Sequence, residues 1–105
     1  METRTGVRLG IVAGLMMAGS AMAVDMPPLA QQSGCTACHA IDQKIVGPAW
    51  MDVAKKYRGV KGAEAKLVAK VKNGGSGVWG EVPMPPQPAP VANVKKLVKF
   101  ILSLK

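Results

Sequence analysis

A pentapeptide, Cys35-Thr36-Ala37-Cys38-His39, constrains this chain more than any other feature. On a helical turn, side chains three residues apart share a face, so the two thiols project together. His39 follows directly and can aim its imidazole at whatever the thiols hold. C-x-x-C-H is the attachment pattern of a c-type haem: each thiol forms a thioether with one porphyrin vinyl group, and the His supplies a proximal iron ligand. Other uses of the motif fit less well. A disulfide across C-x-x-C closes too short a loop to stabilise much, and it leaves His39 unexplained. A thioredoxin-like dithiol sits in a βαβ pattern, which the sequence lacks. Zinc normally takes four Cys, His or carboxylate ligands, whereas the chain has two Cys and one His in total.

The first 23 residues read as a cleaved secretory signal peptide. Arg4 and Arg8 form a positive start, Leu9 to Ala18 is a short apolar run, and Ala21-Met22-Ala23 is an A-x-A cleavage site. The run is shorter than the ~20 apolar residues a membrane-spanning helix needs. Residues 24–105 then form one exported domain, expected in the periplasm and not integral to a membrane. Thioether formation consumes both Cys, so an oxidising compartment raises no conflict.

Of the 14 basic and 6 acidic residues, Arg4, Arg8 and Glu2 belong to the leader, which leaves 12 and 5 and a formal charge of +7. A basic domain this small suits an acidic partner or an anionic surface, and export argues against nucleic acid. Its 82 residues hold four aromatics: Trp50, Tyr57, Trp79 and Phe100. That is near the size where a core of protein alone becomes marginal. A porphyrin would fill the middle, and the domain is expected to fold around it.

The remaining pattern is helical. Leu29 to His39 reads as a short helix carrying the motif at its end, with Pro27-Pro28 at its start. Gly34 either lets the backbone approach the ring or simply makes a turn. Ala49 to Tyr57 places Trp50, Val53, Ala54 and Tyr57 on one face. Ala63 to Lys72 places Leu67, Val68 and Val71 inward and Lys66, Lys70 and Lys72 outward, ending at Asn73-Gly74. Val91 to Leu104 aligns Val91, Val94, Leu97, Val98, Ile101 and Leu102 in one apolar stripe. Between them, Gly74 to Pro90 holds four Gly and five Pro and can be neither helix nor central strand. So long a loop in so small a domain is usually functional. The expectation is an all-α fold of about four helices.

The second axial position of the iron needs a ligand other than His. Met, Lys, water or a diatomic gas are the candidates, and Met26, Met51 and Met84 are the methionines outside the leader. Met26 precedes the attachment helix, and Met51 lies beside Trp50, where methionine commonly fills a core. Met84 lies in Val82-Pro83-Met84-Pro85-Pro86, where flanking prolines stiffen the backbone, and it is the favoured ligand. His/Met ligation closes the iron and raises its potential, which suits electron carriage. Trp79 has an N–H that suits a haem propionate, or its indole packs in the core.

With these residues in place, the domain resembles the short bacterial class I cytochromes c, the cytochrome c-551/c-552 group. The resemblance rests on the C-x-x-C-H run, Val46-Gly47-Pro48-Ala49, Lys72-Asn73-Gly74, Gly77-Val78-Trp79-Gly80 and Pro83-Met84-Pro85-Pro86. It implies the class I cytochrome c fold wrapped around one covalently bound haem c. Cys35 and Cys38 match the thioether cysteines, His39 the proximal ligand and Met84 the distal one. Pro48 matches the proline whose carbonyl orients the His ring, and Trp79 and Lys70 match residues that contact a propionate. Two positions depart from the pattern: Gln87 stands where Asn is common, and Phe100 where Trp often occurs. The implied role is a monomeric, soluble electron shuttle, with a bc1-type complex as donor and a terminal oxidase or nitrite reductase as acceptor. The haem edge near Thr36 and Ala37, rimmed by Val46, Val82, Pro83 and Pro85, would be its docking surface. The alternative is a haem enzyme or gas sensor, peroxidase-like or nitric oxide binding, with a displaceable Met.

Overall fold

A computed structural model describes residues 24–105; the expected signal peptide, 1–23, lies outside the described residues. Four α-helices and one 3₁₀ turn form the regular structure, and no strand occurs among the described residues.

Helix α1 spans Pro28–Gln32, with proline in its first turn, where a missing N–H breaks no helical bond. The sequence suggests one helix through His39, but α1 stops at Gln32. Five residues cannot sustain a helix alone, and Gly34, at φ +79°, turns the chain out of the right-handed region. Cys35–Ala37 then wind as a separate 3₁₀ turn. The correction leaves the motif intact, because 3₁₀ winding brings residues i and i+3 into register.

Helices α2 (Trp50–Tyr57), α3 (Ala63–Asn73) and α4 (Val91–Ser103) follow the expected spans to within a residue or two. Each buries the face its spacing defines: Trp50, Val53 and Ala54 on α2, Ala63 and Leu67 on α3, and Val94, Leu97, Val98 and Ile101 on α4. Helix α3 stops at Gly74, whose N–H donates to the Lys70 carbonyl at 2.7 Å in a conformation (φ +72°) that suits glycine. Val91 departs from the expected stripe. It is 47% exposed on the first turn of α4, between exposed Pro90 and Ala92.

Helix α4 packs on α3, α2 and α1, so its apolar stripe is the spine of the core. Arg58 Nη2 donates to the Leu104 carbonyl at 3.3 Å and ties down the chain end. The long loop has neither helix nor strand, as expected. Gly75 and Met84 close it by exchanging backbone hydrogen bonds of 3.0 and 2.9 Å. The Gln87 N–H donates to the Val71 carbonyl at 3.1 Å, and Lys72 Nζ donates to the Ala89 carbonyl at 2.6 Å. Lys72 is therefore an anchor for the loop rather than an outward charge.

Candidate haem site

Between the 3₁₀ turn, the long loop and the inner face of α4 lies a cavity of about 380 Å³ with mostly apolar walls. That is the size class of small-molecule and cofactor pockets. Cys35, Cys38, His39, Pro48, Lys70, Trp79 and Met84, singled out from sequence, all line it.

His39 has the most determined geometry. Its backbone N–H donates to the Cys35 carbonyl at 3.0 Å, so the turn itself fixes where the ring starts. Its Nδ1 lies 2.8 Å from the Pro48 carbonyl oxygen. A carbonyl only accepts, so Nδ1 carries the proton and Nε2 keeps its lone pair for a metal. Gly47 makes this approach possible. A Cβ there would lie 2.5 Å from His39 Cε1, far inside contact distance. The Gly47 N–H also donates to the Cys38 carbonyl at 2.8 Å. Behind the imidazole stands Trp50, 3% exposed, with ring centroids 6.0 Å apart, and Phe100 meets Trp50 edge-on at 6.0 Å.

Both thiols are free and half-buried. Burial pushes the Cys35 thiol above its ordinary range; a backbone hydrogen bond opposes this in part, and neighbouring Cys38 adds to it.

Across the cavity the construction changes. Met84 is half-buried and, of the three methionines among the described residues, it alone lines the cavity; Met26 and Met51 pack against the core. Lys70 reaches the cavity from α3, close to Gly75, and is not simply outward as its helix position suggests. Trp79 is 41% exposed, with Lys56 Nζ 5.8 Å from its ring centroid. The Gln87 amide lines the cavity and donates to the Pro85 carbonyl at 2.8 Å. Val46 and Val82, at 51% and 66% exposure, stand at the rim, and Thr36 and Ala37 are exposed beside it.

Sequence reading missed Gly47 and Trp50 as parts of the site. Gly47 reads as an ordinary loop glycine, because its constraint comes from a ring eight residues away. Trp50 reads as core, which it is, yet it also supports the imidazole. The donor set fits a c-type haem: two adjacent thiols, an imidazole with a free Nε2 and apolar walls facing one cavity.

A sequence model of the family "Cytochrome c" matches residues 23–105. The chain belongs to the cytochrome c family. This cytochrome c is 47% identical over 95 residues to cytochrome c-551 of Pseudomonas aeruginosa, covering 90% of this chain and 91% of that one. With cytochrome c-552 of Hydrogenobacter thermophilus the identity is 53% over 95 residues, covering 90% and 95%. The crystal structure of wild-type Nitrosomonas europaea cytochrome c552 matches with a TM-score of 0.72 at 46% identity, covering 73% of this chain and 96% of that one. The fold is thus the class I cytochrome c fold. One haem c is bound covalently through Cys35 and Cys38, and the protein is a small electron carrier. Among the described residues, no helix is long and apolar enough to cross a membrane.

Proposed function

We propose that this cytochrome c shuttles single electrons between membrane-bound or periplasmic redox proteins, through a haem iron ligated by His39 and Met84. The observation that carries the reading is the 2.8 Å contact between His39 Nδ1 and the Pro48 carbonyl. It fixes the tautomer and the ring orientation together, as outer-sphere partners of metal-bound histidines do. When bound, the haem supplies a one-electron couple.

The chain's own residues do the rest. Cys35 and Cys38 hold the cofactor permanently, so no binding equilibrium limits a carrier that meets many partners. His39 presents Nε2 as a strong donor. Met84 presents a weak thioether from a backbone pinned at Gly75 and flanked by Pro83 and Pro85. Lys70 and Trp79 supply donors for the propionates, which need them if buried. Val94, Leu97, Val98 and Ile101 exclude water from one wall. His39 is the chain's one histidine, so a second imidazole for peroxidase-like acid–base chemistry is not at hand.

Voltammetry of the secreted holoprotein tests this. One reversible one-electron wave, unmoved by saturating carbon monoxide, is expected. Rapid carbon monoxide binding with a shifted wave would favour a gas-binding haem instead.

A further inference from the structure

Residues 76–83, the tip of the long loop, are all exposed, and among the described residues the tip's own backbone hydrogen bond, from the Gly77 N–H to the Gly80 carbonyl at 2.7 Å, stays within it. Gly75 and Met84 close its base. Trp79 brings the tip to a helix: its ring lies 5.8 Å from Lys56 Nζ, within range of a cation–π attraction. Lys56 is on α2, the helix that also carries Trp50 behind His39. One short helix therefore backs the imidazole with its first residue and meets the opposite loop near its end.

We infer that Lys56 is a positioning residue for Trp79: its ammonium, stacked on the indole, latches the loop tip to α2 and keeps the Met84 segment closed over the cavity. The indole lines the cavity and is 41% exposed, so one face can take the Lys56 ammonium while its N–H serves a propionate. Helix α2 is a suitable post, since Trp50, Val53 and Ala54 root it in the core. Neighbouring Lys55 is also exposed and carries the same charge, so it controls for electrostatics alone. The functional weight of the latch rests on Met84 being the iron ligand, but the latch itself is a matter of backbone opening.

The test is amide hydrogen exchange of the reduced holoprotein by NMR, read at Met84 and Gly77, with Val98 in α4 as the reference for global unfolding. Lys56→Ala should speed exchange at Met84 and Gly77 by about two- to fivefold, the size of an exposed cation–π contact, and leave Val98 unchanged. Lys56→Arg should keep the slow exchange, because guanidinium also stacks on indole. In a Trp79→Leu background, Lys56→Ala should add nothing. Unchanged exchange in Lys56→Ala, an equal effect of Lys55→Ala, or a full effect in the Trp79→Leu background would each overturn the latch. A wrong ligand assignment would instead show in the iron's absorption, with the exchange pattern intact.

Discussion

His39 is held by a short segment folded onto α2, whereas Met84 rides on a loop tied to the helices by Gln87, Lys72 and Lys56. On the first side, backbone bonds from Gly47 to Cys38 and from Trp50 to Ala40, plus the Pro48 carbonyl, leave the imidazole one orientation. On the second, a bridge at Gly75 sets the backbone of Met84, while residues 76–83 form an exposed loop along the cavity. The difference matches the chemistry of the two ligands proposed above. A strong ligand benefits from a rigid mount that fixes its tautomer. A weak thioether requires only that its backbone stay near the iron, and proline stiffness with a closed loop base achieves that without a helix.

If the cofactor joins these two sides, removing it should cost more than any change to either. Without it, a mostly apolar cavity of about 380 Å³ would be left open to water. A domain of 82 residues has only roughly 4–12 kcal/mol of stability in total. The double variant Cys35→Ala with Cys38→Ala, made without haem, should therefore lack native far-UV circular dichroism. A native-like spectrum would mean that the helices assemble without a centre.

The rigid side should be intolerant of a single methyl group. Gly47→Ala places its Cβ against a ring that cannot yield, since Pro48 and Trp50 hold it. We expect a loss of about 1–3 kcal/mol in guanidinium unfolding of the holoprotein, as overpacking generally costs. A loss below about 0.5 kcal/mol, the range of ordinary surface changes, would show that the imidazole can shift.

The exposed side should respond in rate rather than stability. Val82→Asp, at a rim position 66% exposed, should leave stability within about 0.5 kcal/mol yet slow electron transfer to a redox partner several-fold. Lys105→Gln, at the chain end, should have a smaller effect. A charge placed in an apolar contact hinders close approach, whereas loss of one distant charge mainly lowers the encounter rate. Equal effects of the two changes would move the docking surface away from this rim.

Much of this was legible in the sequence, for a reason that differs from element to element. Helices α2, α3 and α4 followed from apolar spacing, because their stripes are long enough to be read and meet one another in the core. The motif and the place of Met84 on the cavity wall were legible because spacing and flanking prolines are local. The break at Gly34 was legible only in part: a turn was one of the two readings its neighbours left open, yet the helix was expected to run on to His39. The roles of Gly47 and Lys72 were not legible. One is set by the His39 ring and the other by the Ala89 carbonyl, both brought near only by the fold. Lys56 and Trp79 are far apart in sequence, and no periodicity links them.

The most direct test of the two-sided account is far-red absorption of the oxidised holoprotein, where thioether ligation to ferric iron gives a weak charge-transfer band. The wild type and Met51→Ala should show the band, and Met84→Ala should lose it. A band that survives in Met84→Ala, or is absent from the wild type, would contradict the assignment of Met84 as the ligand opposite His39.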